Sequence, residues 1–270
     1  MLTTLRTIIT DNWEHRRQIG FLAVMELRKA VHGTWLGWLW LVLKPIVYVA
    51  AFWFALEIGL RADRQTASSV PYIIWLGTGI FVWQYMSSMI TSGSNVYKNY
   101  SYLVTKLRFP IAVIPSFHSL GKLLVFGLTQ IILVIAMLVW NTGFTIYLLQ
   151  WPLLVILLYF TFTVFSLMTA PLSALSRDFH NALTVLNTPI FWLSGIIFDV
   201  SRINIAWIKW VLRFNPVTFF AKAFRGCLGE GYWFWSDPLF FFPFLCTLLV
   251  MIILALWVQT RLKKEIPDVI

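Results

Sequence analysis

From Leu123 to Ser176 the chain runs fifty-four residues without one Asp, Glu, Lys, Arg or His. About 20 apolar residues carry a helix across the hydrocarbon core of a bilayer. The stretch is therefore too long for one crossing and about right for two. Its one strong turn signal, Asn141-Thr142-Gly143, predicts a tight loop between antiparallel helices. A soluble domain has no way to hide that much uninterrupted apolar chain. The sequence predicts an all-α polytopic membrane protein.

Composition agrees and narrows the function. Charged residues are 12% of the chain and hydrophobic ones 59%, where soluble domains carry roughly 25% charge. The net charge of +10 sits in short islands between apolar runs, where it meets anionic lipid headgroups rather than nucleic acid. Cys227 and Cys246 give no disulfide or metal framework, and His15, His32, His118 and His180 lack metal-ligand spacing. The first apolar run begins near Trp35 with no small-residue cleavage site behind it, so no cleavable signal peptide is expected. A P-loop needs Gly-Lys-Ser/Thr, and the only Gly-Lys pair, Gly121-Lys122, runs into Leu123. Carboxylates within the apolar runs are nearly absent, with Glu57 the main candidate, which argues against a carboxylate-relay pump. Any transport work must draw its energy from a partner.

Six spans are expected: Trp35–Leu60, Pro71–Ile90, Ile111–Trp140, Ile146–Leu175, Ala182–Val200 and Leu239–Thr260. Residues 1–34 form an N-terminal interface region and residues 35–270 the transmembrane domain, with a short tail at 261–270. Six spans put both termini on one side, and twelve of the nineteen Lys and Arg outside the spans fall there. Positive loops stay cytoplasmic, so both ends are expected in the cytoplasm.

Two segments outside the spans carry further information. Ser201–Asp237 holds two short apolar stretches, Ile203–Phe214 and Pro216–Leu228, divided by Asn215-Pro216. At 1.5 Å per residue each is too short for the roughly 30 Å core. The segment reads as a re-entrant helical hairpin dipping in from outside, or as two helices lying flat in the interface, anchored by Trp207, Trp210, Trp233 and Trp235. In the first thirty residues, Trp13, Ile19, Leu22, Ala23, Ala30 and Val31 recur near helical spacing, with Arg16, Arg17, Glu26, Arg28 and Lys29 between them. That pattern predicts an amphipathic helix in the plane of the inner leaflet, or a plain topology anchor. Gly33 and Gly37 have the small-xxx-small spacing that permits close helix approach.

Several pieces, in this order, resemble the membrane subunit of type-2 ATP-binding-cassette exporters, in the branch for O-antigens, capsules and wall teichoic acids. Glu26-Leu-Arg-Lys29, Leu36-Gly-Trp-Leu-Trp40 and Lys44-Pro45 resemble that family's entry into its first span. Gly93-Ser-Asn-Val-Tyr97, Leu103, Lys106 and Phe109-Pro-Ile-Ala-Val-Ile-Pro115 resemble its first cytoplasmic loop, Arg177-Asp178 the turn after its fourth span, and Asn215-Pro216 with Phe224-Arg225 its external region. The chain departs from the family pattern at His32-Gly33-Thr34 and at Ser194-Gly-Ile-Ile, which leaves the substrate open more than the family.

The resemblance implies a bacterial cytoplasmic-membrane permease that pairs with a second copy and two ATPase subunits, which bind the ATP and Mg; this chain would bind no cofactor. It implies a polyprenyl-pyrophosphate-linked glycan as substrate, its pyrophosphate near Arg28, Lys29, Gly33 and Gly37. Channel-lining aromatics would be Tyr48, Phe52, Trp75, Phe81 and Trp83, since stacking tolerates any register of a sliding sugar chain. Tyr97, Lys106, Phe109, Arg177 and Asp178 would take the ATPase motion, and Asn215, Pro216 and Arg225 would form an external gate. Two other classes stay open. A type-2 permease for drugs or small lipids shares the architecture. A membrane-embedded transferase needs a polar catalytic cluster, for which Arg177-Asp178-Phe179-His180 is the only compact candidate; ATPase activity that appears only with a partner subunit separates transport from that chemistry.

Overall fold

The computed structural model describes residues 1–59, 70–105, 109–262 and 266, and every regular element among them is helical. The N-terminal arm is two helices, α1 (Leu2–Glu14) and α2 (Arg16–Val31), where the sequence predicts one. The break falls at His15, whose ψ of 13° leaves the helical range; its Nδ1 lies 2.8 Å from the Asp11 carbonyl oxygen. Ile19, Ala23 and Val31 of the expected stripe are buried. Trp13 instead stays exposed, with the Arg16 guanidinium 4.8 Å from its ring centroid.

The first long helix, α3 (Leu39–Trp53), ends in a π-helical turn at Phe54–Gly59. Next come α4 (Tyr72–Ser88), extended by a π-turn at Met89–Gly93, and the short α5 (Val96–Asn99) and α6 (Ser101–Thr105). A 3-10 turn at Ile111–Val113 leads into α7 (Ile114–Val139), with Pro115 in its first turn, where the missing N–H costs nothing. Asn141 then takes a φ of +52°, the tight reversal expected of Asn141-Thr142-Gly143. Beyond it lie α8 (Trp151–Leu175), α9 (Arg177–Leu193), α10 (Ala206–Arg213), α11 (Pro216–Arg225) with a π-turn at Gly226–Glu230, and α12 (Pro238–Leu262).

Five helical runs are long and apolar enough to cross a bilayer: Leu39–Gly59, Tyr72–Gly93, Ile111–Val139, Ile146–Leu175 and Pro238–Leu262. The fifth expected span, Ala182–Val200, falls on α9, which starts earlier, at Arg177, and stops at Leu193. Its 17 residues rise about 26 Å, short of the hydrocarbon core. The helix stops because the chain folds back: Gly195 adopts a φ of +72°, and a Cβ there would collide with Val200.

The largest core forms around α4. Leu76, Ile80, Val82 and Met86 are fully enclosed by residues of α7, α8 and α11, including Phe126, Leu158, Phe220 and Phe224. By contrast α3 buries only Pro45 and Val49 and leaves the rest of its apolar surface open. The pattern suits a helix at the rim of the bundle, facing lipid or another protein. Of the two short outer helices, α11 is buried along most of its length, while α10 exposes Trp207, Trp210 and Val211.

Candidate functional site

α2 crosses α7 at Gly121. A Cβ on Gly121 would lie 3.2 Å from Glu26 Cβ and 3.3 Å from the Ala23 carbonyl oxygen, so glycine lets the helices seat this closely. His118, about one turn before Gly121, and Lys122, the residue after it, reach the same carboxylate. Glu26 Oε1 lies 2.7 Å from His118 Nδ1 and 3.3 Å from Lys122 Nζ, and Tyr100 OH donates to Oε2 at 2.7 Å. Burial alone would raise the Glu26 pKa. The His118 contact, the Lys122 charge and the Tyr100 hydroxyl outweigh it and hold the carboxyl below its usual range. The network continues from His118 Nε2 to Ser92 Oγ at 3.0 Å; two residues on, Ser94 Oγ lies 3.2 Å from His180 Nδ1. Four separate segments are thus joined at one end of the bundle.

Beside this network, the last turn of α2 faces α6 across a pocket of about 550 Å³. Arg28, Lys29 and His32 line one side, with Tyr100, Tyr102 and Phe117 opposite, and Lys29 Nζ sits 5.6 Å from the Tyr100 ring centroid. Glu26 also borders the pocket, but its carboxylate is already engaged by His118, Lys122 and Tyr100. Among the described residues the exposed Arg28 and Lys29 have no carboxylate partner and can meet an anion, beside aromatic rings on which an apolar or sugar group can lie.

The turn from α2 into α3 uses its glycines differently from the expected helix packing. Gly33 and Gly37 have φ of +75° and +51°, and a Cβ on either would meet nothing within 4 Å. Their requirement is left-handed backbone, not close helix approach. Between them Trp35 is 98% exposed at the tip of the turn, placed to anchor in a headgroup layer.

The five expected channel aromatics do not share one surface. Tyr48 and Trp83 border an open groove of about 460 Å³ with Lys44, Gln84, Ser87 and Ser88. Phe52 joins them through ring contacts with Tyr48 at 4.9 Å and Phe191 at 5.3 Å. Phe81 instead borders an apolar groove between α3 and α7, and Trp75 lies at the opposite end of α4.

At that opposite end Arg225 is 5% exposed, its guanidinium carbon 3.3 Å from the Trp75 ring centroid. It donates to the carbonyls of Gly195 (2.8 Å), Ile196 and Trp75 (3.4 Å), which ties α11 to the reversal after α9. Asn215 caps α11, accepting from Val217 N–H at 2.9 Å while its Nδ2 donates to Ser194 Oγ at 2.7 Å; Pro216 occupies the first turn. The expected gate residues therefore act as a rigid clasp between α11 and the end of α9.

Of the expected coupling residues, Lys106 lies outside the described residues. Tyr97 is wholly buried and accepts from Gln259 Nε2 of α12 at 2.9 Å, so it can anchor the loop but not touch a partner. Phe109 meets the His15 ring edge-on at 5.7 Å. Arg177 and Asp178 are exposed in the first turn of α9, where Ser176 Oγ accepts from Phe179 N–H, and they form no ion pair with each other. That disfavours a compact transferase centre at this corner.

The profile of the ABC-2 type transporter family matches residues 17–228, most of the elements just described. The chain belongs to the ABC-2 type transporter family. Among its relatives, an O-antigen export system permease protein RfbA of Myxococcus xanthus is 21% identical over 83% of this chain and 84% of its own length. A protein of the same name from Klebsiella pneumoniae is 24% identical over 76% of this chain and 78% of its own. Within this transporter family framework, the feature that sequence reasoning missed is the Glu26–His118–Lys122–Tyr100 network. A signal was available: His118 and Lys122 stand four residues apart and share a helix face.

Proposed function

We propose that this chain is the permease half of an ATP-driven exporter that moves a lipid-linked polysaccharide across the bacterial cytoplasmic membrane. The reading is carried by one observation, the pocket at the end of α2 where the exposed Arg28 and Lys29 stand opposite Tyr100 and Tyr102. A pyrophosphate joined to a glycan needs cations beside stacking surfaces. The relatives named as O-antigen export permeases support the same substrate class. In this reading two copies pair, and two ATPase subunits bind ATP and Mg and dock beside the loops Asn95–Phe109 and Arg177–Asn181. Six crossings, with α9 and the chain to Val200 forming the fifth, put both termini in the cytoplasm. The aromatic group around Tyr48, Phe52 and Trp83 lines the sugar path, and the clasp at Arg225 closes the outer face.

Arg28→Glu tests it. A direct charge-assisted contact to pyrophosphate contributes roughly 1.5–3 kcal/mol, against about 1 kcal/mol for a cation near anionic lipid. In the reconstituted complex, the variant is expected to raise at least about tenfold the lipid-linked glycan concentration that stimulates ATP hydrolysis, with basal hydrolysis unchanged. Arg28→Lys keeps the charge and loses only the fork, so its effect is smaller. Unchanged stimulation in Arg28→Glu would move the pyrophosphate site elsewhere.

Coupling has its own test. Asp178 is exposed, lacks an Arg177 partner and faces the positive end of α9. Asp178→Ala is expected to cost under 1 kcal/mol in stability and to leave insertion and pairing intact. Vesicle export should fall while ATP hydrolysis persists; wild-type export by the purified variant would remove Asp178 from the coupling path.

A further inference from the structure

At the end of α4 away from the α2 pocket, α10, α11 and the turn after α9 enclose a second cavity, of about 220 Å³. Trp75 on its wall and Ser92 in the α2 network stand seventeen residues apart along α4 and its π-turn, about 25 Å at helical rise. The two sites therefore occupy opposite faces of the bundle.

Four cations line this cavity, Lys209, Arg213, Lys222 and Arg225, against three carboxylates, Asp199, Glu230 and Asp237. Each carboxylate has a partner, although Asp199 and Glu230 meet only neutral donors and keep their charge, so the lining carries one more cation than carboxylate. Asp237 is ion-paired with Lys222. Asp199 accepts from both N–H and Oγ of Ser201, and Glu230 accepts from Trp75 Nε1 at 2.7 Å. Lys209, Arg213 and Arg225 have no carboxylate within ion-pair distance among the described residues.

Two polar atoms on the cavity wall are also left over. Arg213 Nε is buried without a partner, and so is the hydroxyl of Thr218, a residue only 1% exposed. Buried donors in native proteins are almost always satisfied, so a pair of unmet ones beside surplus positive charge points to a missing acceptor. The fit is a compact anion with several oxygens. Guanidinium forks and a hydroxyl match phosphate geometry, and the volume admits a phosphate or pyrophosphate but not a sugar chain.

We propose that this cavity binds a phosphate oxyanion, with Lys209 and Arg213 as its charged ligands, Thr218 as a hydroxyl donor and Arg225, stacked on Trp75, as its fixed wall. The site stands on its own geometry. The exporter reading enters only in naming where the phosphate comes from, either the pyrophosphate of a carrier lipid arriving on this face or a phospholipid headgroup.

The test is calorimetric titration of inorganic pyrophosphate into the full chain, purified in a phosphate-free maltoside detergent. Saturable binding is expected. Measured in the Arg28→Glu background, which removes the α2 pocket's contribution, binding should persist and should weaken at least tenfold on adding K209Q/R213Q and several-fold on adding Thr218→Val. No saturable binding in that background, or affinity unchanged by adding K209Q/R213Q, overturns the proposal. Binding lost in Arg28→Glu but kept in K209Q/R213Q also overturns it, while upholding the α2 pocket as a pyrophosphate site. If the chain carrying K209Q/R213Q fails to fold, Thr218→Val decides: several-fold weaker binding supports the site and unchanged affinity refutes it. In nanodiscs, competition by phosphatidylglycerol assigns the site to a headgroup phosphate. Undiminished pyrophosphate binding there assigns it to the carrier; either outcome upholds the oxyanion chemistry.

Discussion

Glu26→Ala is expected to destabilise the purified chain by roughly 2–6 kcal/mol, from leaving His118 and Tyr100 without their acceptor at about 1–3 kcal/mol each. The carboxylate is 9% exposed, and its loss leaves His118 Nδ1, at 3% side-chain exposure, without its partner. It also frees Tyr100 OH from its acceptor. The damage should be local first: α2 lifts from Gly121, and its amides exchange with solvent faster than those of α4. Glu26→Gln keeps an oxygen for Tyr100 and should lose less. The pH response follows from the depressed carboxyl. A group whose folded pKa lies below its unfolded one stabilises fully above the unfolded value and loses that contribution as pH falls through the folded value. Protection of α2 should therefore hold at neutral pH and decline only below pH about 4.5, the ordinary value for the group. Glu26→Gln should lack that acid step. Equal exchange in wild type and Glu26→Ala would mean that other contacts seat the helix.

Arg225→Leu is the second large effect. The guanidinium supplies hydrogen bonds to the Gly195 and Ile196 carbonyls, in a stretch of chain outside any helix. Leucine fills much of the volume and removes a buried charge, which by itself can be neutral. The two orphaned carbonyls, at about 1–3 kcal/mol each, make the substitution costly, roughly 2–6 kcal/mol. Gly79→Ala reaches the same joint from the other side. A Cβ there would press on Arg225 Nη2 and on the Ile196 carbonyl at 2.9 Å, so α4 and the reversal would have to part. Both variants should lower the thermal unfolding midpoint and increase proteolysis between Ser194 and Val200. Wild-type proteolysis in Arg225→Leu would show that the reversal holds without its clasp.

The fold class was legible because it follows from long uncharged runs, which need no tertiary information. The Asn141 reversal and the start of α11 were legible for the same reason, since an Asn-Thr-Gly turn and an Asn-Pro cap act through local backbone chemistry. Long-range pairing was not. Glu26 reads as one more polar residue on an amphipathic helix until Gly121 brings it against His118 and Lys122. The α9 boundary was misplaced because Ser194-Gly-Ile-Ile continues the apolar pattern, while the left-handed φ at Gly195 is set by packing against Val200. Gly33 and Gly37 carry the spacing of a helix-packing motif, yet they lie in a turn where backbone freedom is what counts. Hydropathy locates spans; it says nothing of which aromatics face one another, and the five aromatics accordingly divide among three surroundings.

The break at His15 gives the N-terminal arm two separate attachments. α2 rests on α7, whereas α1 reaches α12: Thr4 and Thr260 hydroxyls lie 3.0 Å apart, and Ile8 packs with Met251 and Ala255. Synthesis proceeds from the N-terminus, so α1 leaves the ribosome well before its partner surface on α12 is made. Until then the helix can rest only against α2 and the turn at Ile111–Val113. Its closure onto α12 has to wait until α12 has been made and inserted, and a product truncated before α12 keeps α1 without that second attachment.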